Sequence, residues 1–329
     1  MVRVVNSNRS RPGLRKSGTG LLFAALLAGC AMPVTEVGTE AVQAPQARPS
    51  GVLEPLQDAP LPPADGVAAH FARLEAQRLA NGLLRRERAP RDLPFSERDL
   101  EEAFVRIALF EEYAFVGERI VERATPSVLR RWQSPVRMRV EFGASVPEAT
   151  RRADLGFLRS YASRLGRLTS HPVSLTEGSS GNFHVLVLSE EERRAAEPRL
   201  RQIVPGIDSV TLNLVRDLPL SVSCLVLAFS RSGTNTYTDA IAVIRAELPD
   251  LSRRACYYEE LAQGMGLPND HPRVRPSLFN DTAEFAVLTA LDENLLRILY
   301  DPRLRPGMRE REARPIIREI AQELMGGTS

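Results

Sequence analysis

Apolar residues change their spacing repeatedly between residues 135 and 265, and the order of those changes limits the folds open to this chain. Residues 135–142 (PVRMRVEF) alternate apolar and polar side chains, the period-two pattern of a strand with one buried face. From Pro147 to Leu165 the period becomes helical, with Leu155, Leu158, Ala162 and Leu165 on one face. Short strands are expected at 173–177 and 183–188 (FHVLVL), followed by a charged helix over about 190–203. Two more strands, 220–229 (LSVSCLVLAF) and 237–246 (YTDAIAVIRA), are joined by the Gly233-Thr234-Asn235 turn. Asp250 caps a helix running to about Met265, and helices fill 284–299 and 310–324. Upstream, Val67 to Leu79 has helical spacing. Ser96 and Asp99 then form a capping-box-like pair ahead of Leu100, Phe104, Ile107, Ala108 and Tyr113. Strand, helix, four strands, helix, with no internal repeat, predicts an α+β domain.

The first 29 residues follow other rules. Residues 1–17 are basic and acid-free, and 18–29 (GTGLLFAALLAG) are small and apolar. That run is too short to span a bilayer, which takes ~20 apolar residues, and suits the core of an export signal. It ends in Leu27-Ala28-Gly29-Cys30, which resembles the bacterial lipobox; the resemblance implies cleavage before Cys30 and acylation of its thiol. Two or more acyl chains anchor a protein stably to lipid. Without an Arg-Arg pair, general secretion is expected. Ala31 stands where the inner-membrane retention signal of lipoproteins has Asp, so the expected location is the outer membrane, facing the periplasm, rather than the inner membrane. The whole chain carries a net charge of +2. Arg3, Arg9, Arg11, Arg15 and Lys16 supply more than that, so the remainder is slightly acidic and nucleic acid is not an expected partner. Prolines 33, 45, 49, 55, 60, 62 and 63 mark a semi-extended tether. The expected organisation is therefore signal peptide 1–29, lipidated Cys30 with a Pro-rich tether to 66, an N-terminal helical segment 67–92, and a folded domain 93–325.

Residues 256–270, CYYEELAQGMGLPND, carry the most specific signal. Aligned on Gly266, they resemble the H-E-x-x-H-x-x-G-x-x-H helix of metzincin-type zincins, a motif in which two His one turn apart share a helical face and the Glu is general base. Glu259, Gln263 and Asn269 stand at the three His positions, Glu260 at the base, and Gly266 at the helix-ending turn. Downstream, Ser277-Leu278-Phe279-Asn280-Asp281 resembles the Met-turn, with Phe279 in place of Met, and Thr289-Ala290-Leu291-Asp292 resembles the start of the last metzincin helix. The strings EELAQ, GLPND, RPS, FND and LYDPRLRPGM also resemble a family of bacterial lipoproteins, domain of unknown function 2927. The motif-level likeness covers about 256–308 and extends weakly back to about 93. It implies a zincin-like fold, with a mixed five-stranded sheet, a motif-bearing helix and a small helical C-terminal subdomain.

The chemistry of the substituted positions sets the expected function. Zinc prefers imidazole and thiolate to carboxylate, and Gln263 and Asn269 offer only neutral amides. The expected protein is a lipid-anchored, non-catalytic binding or assembly module on a degenerate peptidase fold. Its partners are membrane lipid through acylated Cys30 and an extended peptide or envelope protein, the peptide pairing with an edge strand near 220–230. No cofactor is expected. One alternative is a metallopeptidase in which Glu259, Gln263 and Asn269 hold a divalent ion and Glu260 is the base, with Asp270 and Asp281 as added oxygen donors or His271 as a replacement ligand. Another is a purely structural envelope lipoprotein. Cys224 and Cys256 are either a disulfide or two buried thiols. His70, His171 and His184 are scattered, Trp132 reads as packing before the first strand, and no G-x-S-x-G or phosphate-binding loop occurs.

Overall fold

A computed structural model describes residues 2–6, 64–116, 119–178, 180–231 and 233–326. In chain order the elements are β1 (Val2–Asn6), α1 (Ala64–Ala80), α2 (Glu97–Ala108), β2 (Phe110–Val116), β3 (Arg119–Pro126), β4 (Arg131–Trp132), β5 (Val136–Phe142), α3 (Glu148–Thr169), β6 (Val173–Leu175) and β7 (Phe183–Leu188). There follow α4 (Glu190–Arg194), α5 (Glu197–Ile203), α6 (Ser209–Arg216), β8 (Cys224–Ser230), β9 (Thr236–Arg245), α7 (Asp250–Gln263), α8 (Ala290–Tyr300) and α9 (Glu310–Gly326). Cys30 and nearly all of the signal and tether segments lie outside the described residues.

The architecture is mixed α/β around a seven-stranded sheet of order β1-β8-β9-β7-β5-β6, with β4 on the flank of β9. All five expected strands are present and adjacent. Parallel pairs dominate, because α3 carries the chain from β5 to its parallel neighbour β6, and α4–α6 followed by β8 bring it back to β9, parallel to β7. The one antiparallel pair in this sheet is β8 with β9, joined through a short turn containing Gly233 at φ +75°.

Both faces of the sheet are covered, which explains why β8 reads CLVLAFS, an unbroken apolar run, rather than an alternation. Val226 and Ala228 enter the principal core with α2, α3, α7, α8 and α9. Leu225, Leu227 and Phe229 enter a second core with Leu200, Leu212 and Val215 of α5 and α6. The expected helix over 190–203 is thus two short ones, and α6 is an addition. Its N-cap Asp208 takes the Thr211 N–H at 2.9 Å. The expected C-terminal subdomain is not separate: Leu291, Leu295, Leu299, Ile317 and Ile320 all belong to the principal core.

Two boundaries differ from expectation. Helix α2 has the Ser96–Asp99 capping box in full but stops at Ala108, so Tyr113 belongs to β2 of an antiparallel β2–β3 hairpin. Helix α1 starts at Ala64, within the expected tether. Among the described residues no helix is long and apolar enough to cross a membrane. The Cys224–Cys256 disulfide joins the first residue of β8 to α7 across a separation of 32 residues, a closure worth roughly 2–4 kcal/mol.

Candidate functional site

The site forms where α7 ends. Gly264 carries the chain out of the helix, its N–H on the Glu260 carbonyl at 2.9 Å. The Trp132 indole N–H donates to the Gly264 carbonyl at 2.8 Å, and the Tyr300 hydroxyl donates to the Met265 carbonyl at 3.0 Å. Trp132 is therefore more than packing: it satisfies a helix-terminal acceptor that burial would otherwise leave open. Gly266 then turns at φ +132°, lying so near Arg130 that a Cβ would sit 2.3 Å from its carbonyl oxygen. The chain folds back, and the Gln263 amide nitrogen donates to Asp270 Oδ1 at 2.8 Å across the turn.

Asn269 is buried to 1% exposure and is held by α2: its backbone N–H donates to the Ile107 carbonyl at 3.1 Å and its side-chain nitrogen to the Arg106 carbonyl at 2.8 Å. Those acceptors belong to the last turn of α2, so Asn269 caps that helix from outside. Phe279 is fully buried, its carbonyl accepting the His271 N–H at 2.9 Å. The preceding Ser277 and the backbone of Leu278 bond Asp292, which also accepts the Thr289 N–H at 2.9 Å in the capping box of α8. Burial holds the Asp292 carboxyl up at about 6 against those three hydrogen bonds and a fourth from the Thr289 hydroxyl. His271 Nδ1 accepts the Arg273 N–H at 3.2 Å.

Three carboxyls meet at the turn. Glu260 is fully buried; Glu259 and Asp270 are half-buried. One oxygen each of Glu259 and Glu260 lies with Cys224 Sγ inside a 4.8 Å group. Burial first, then the Asp270 charge, lifts the Glu259 carboxyl to about 7, and burial lifts Asp270 to about 6, with exposed Asp281 adding to both. Two buried acceptors have no partner, Gln263 Oε1 and Asn269 Oδ1. The structure thus gathers Glu259, Glu260 and Gln263, adds Asp270, and assigns Asn269 to the α2 cap. The clefts lined by Glu111, Arg130 and Arg309 or by Arg314 and Arg318 share no residue with this cluster.

These donors do not fit the zinc that the metzincin resemblance implies. No imidazole is among them, the Cys224 sulfur is committed to Cys256 and is no thiolate, and the rest are carboxylates and neutral amides. No chemical step is derived through a metal.

The raised carboxyls have a thermodynamic consequence. Folded Glu259 and Asp270 hold protons more tightly than their ordinary values of 4.5 and 3.8. The native state therefore loses stability as pH rises from about 4 through 7, and is relieved of that loss below about 4. In urea unfolding, Glu259→Gln should gain on the parent chain between pH 5 and pH 8 by on the order of 2 kcal/mol. The histidines, common to both chains, cancel in that difference. Equal pH dependence in parent and variant would contradict the raised carboxyl.

Fold and site together define a mixed α/β protein with a disulfide-stapled helix ending in a carboxyl cluster. A family model described as protein of unknown function (DUF2927) matches residues 97–319, and the chain belongs to that family. No curated protein and no solved structure matches it.

Proposed function

We propose that this chain is a lipid-anchored envelope protein, held at the outer membrane through acylated Cys30. Its zincin-like body has abandoned zinc chemistry and holds an extended peptide along the free edge of β8. One observation carries the binding part. Residues Val2–Asn6 lie on β8 as a parallel strand, Val2 opposite Val226 and Asn6 opposite Ser230, so this edge accepts an extended segment. Those five residues fall inside the segment read as a cleaved export signal, and processing removes them. The processed body then presents a vacant row of backbone donors and acceptors, which strand addition satisfies. The donor set at Glu259, Gln263 and Asn269 supports a peptide-holding role over a peptidase one.

The test uses the protein extracted from the envelope in detergent in its processed form, titrated with the peptide MVRVVN. Saturable binding is expected. The peptide MVPPVN carries prolines at two successive positions, so it loses a donor facing β8 whichever phase the strand adopts, and should lose at least tenfold in affinity. Equal binding of the two peptides, or of neither, refutes the edge reading.

A further inference from the structure

We propose that the carboxyl cluster at the end of α7 is a receptor for the free α-ammonium of the peptide that lies parallel on β8. The proposal rests on the edge reading above and adds the chemical group that the ligand must carry.

Strand direction is the first argument. A segment running parallel to β8 in the observed register has its amino end beside Val226, two residues from Cys224 at the start of the strand. Cys224 Sγ is also the atom grouped with the Glu259 and Glu260 oxygens within 4.8 Å. The disulfide keeps that end of β8 against α7, so the amino end of a parallel guest is delivered to the carboxyls and its carboxyl end is carried away from them. An antiparallel guest would bring its carboxylate there instead, against like charge.

The second argument is the demand left open by the site. An α-ammonium offers one positive charge and three N–H donors. Among the described ion pairs, none includes Glu259 or Asp270, although arginines are paired across the rest of the body. Gln263 is fully buried, and its amide is fixed in the cluster by the 2.8 Å bond to Asp270, which leaves Oε1 as an acceptor without a donor. A buried acceptor of this kind is satisfied in native proteins by a donor from water or ligand. Anionic carboxylates beside a donor-hungry amide oxygen match an ammonium in both charge and hydrogen-bond sense. Arg78 of α1 is the described cation whose charge lowers the Glu259 carboxyl, the effect that a guest's ammonium would strengthen.

The experiment compares MVRVVN with its N-acetylated form on the processed, detergent-extracted protein, using peptides labelled at the carboxyl end and read by fluorescence anisotropy. Acetylation should weaken binding at least tenfold. Glu259→Gln should weaken the free-amine peptide by a similar factor and leave the acetylated peptide unchanged, which also shows that the variant is folded. Equal affinities for the two peptides overturn the ammonium receptor while the edge reading stands. Failure of both peptides to bind removes the edge reading and this proposal with it. Calcium or zinc alone binding at micromolar concentration and excluding the peptide makes the cluster a metal site and likewise overturns the proposal.

Discussion

Asp154→Ala should cost the folded state about 3–5 kcal/mol, because it leaves a buried guanidinium with only the exposed Asp250 as counter-charge. Asp154 on α3 is fully buried, and its Oδ2 accepts both Arg253 Nε and the Tyr257 hydroxyl at 2.8 Å. Arg253, 4% exposed, also donates to the Leu248 carbonyl at 2.8 Å and to Asp250. Burial, the largest single influence, would lower the Arg253 pKa, and the bonds and charges of Asp154 and Asp250 together outweigh it, so the guanidinium stays charged. The pair bolts α3 to α7 next to the disulfide and thereby holds the helix that carries Glu259 and Glu260. Removing both charges tells the two contributions apart. In Asp154→Leu/Arg253→Met no charge is stranded, and urea midpoints should show this double variant to be more stable than Asp154→Ala. A double variant at least as unstable as the single one would mean that the pair itself, rather than the orphaned cation, carries the energy.

That pair shows where reading the sequence stops. The spacing of α3 placed Leu155, Leu158, Ala162 and Leu165 inside; the last three are buried and Leu155 is partly exposed. The same spacing puts Asp154 one turn before Leu158, on the apolar face, where a carboxylate needs a partner. The signal was present, but its partner stands 99 residues away, and helical periodicity says nothing about which distant cation answers. Strands were legible for the opposite reason. Each run of FHVLVL or CLVLAFS type states its burial locally, so β5 to β9 fall within a few residues of expectation. The β2–β3 hairpin was missed because α2 ends without a glycine or proline: Leu109 closes it, and the apolar residues beyond continued the helical count.

At the site, the motif spacing conveyed that Glu259, Glu260 and Gln263 share one end of a helix and that a glycine turns the chain there. What it left open was which side chain answers which. Asn269 stands where the metzincin resemblance would put a ligand, yet its amide nitrogen serves the Arg106 carbonyl, while the neighbouring Asp270 takes the bond from Gln263. One residue of difference decides between a helix cap and a charged site, and it depends on where α2 happens to end. The disulfide was equally underdetermined: two cysteines are compatible with free thiols until β8 and α7 are known to be adjacent.

Gly266→Ala should be about as damaging as losing the buried ion pair, and it reports on the turn itself. At φ +132° an L-residue is strained by about 1–3 kcal/mol, and the added methyl meets the Arg130 carbonyl oxygen at 2.3 Å, which adds about 1–3 kcal/mol of overpacking. The neighbouring Gly264 is an instructive control. Its φ is −63°, an ordinary helical value, and the atom that a Cβ would strike is Phe183 Cζ at 2.5 Å, part of a side chain. Gly264→Ala should therefore be partly rescued by Phe183→Leu, which withdraws the ring. Gly266→Ala has no such remedy, because its obstacle is backbone fixed by β4 and its strain is backbone conformation. Thermal unfolding of the four chains tests this directly. If Gly266→Ala melted within a few degrees of the parent, the turn would not be the tight reversal that brings Asp270 to Gln263. The carboxyl cluster, the pH dependence assigned to it and the proposed ammonium seat would then all lose their geometric basis together.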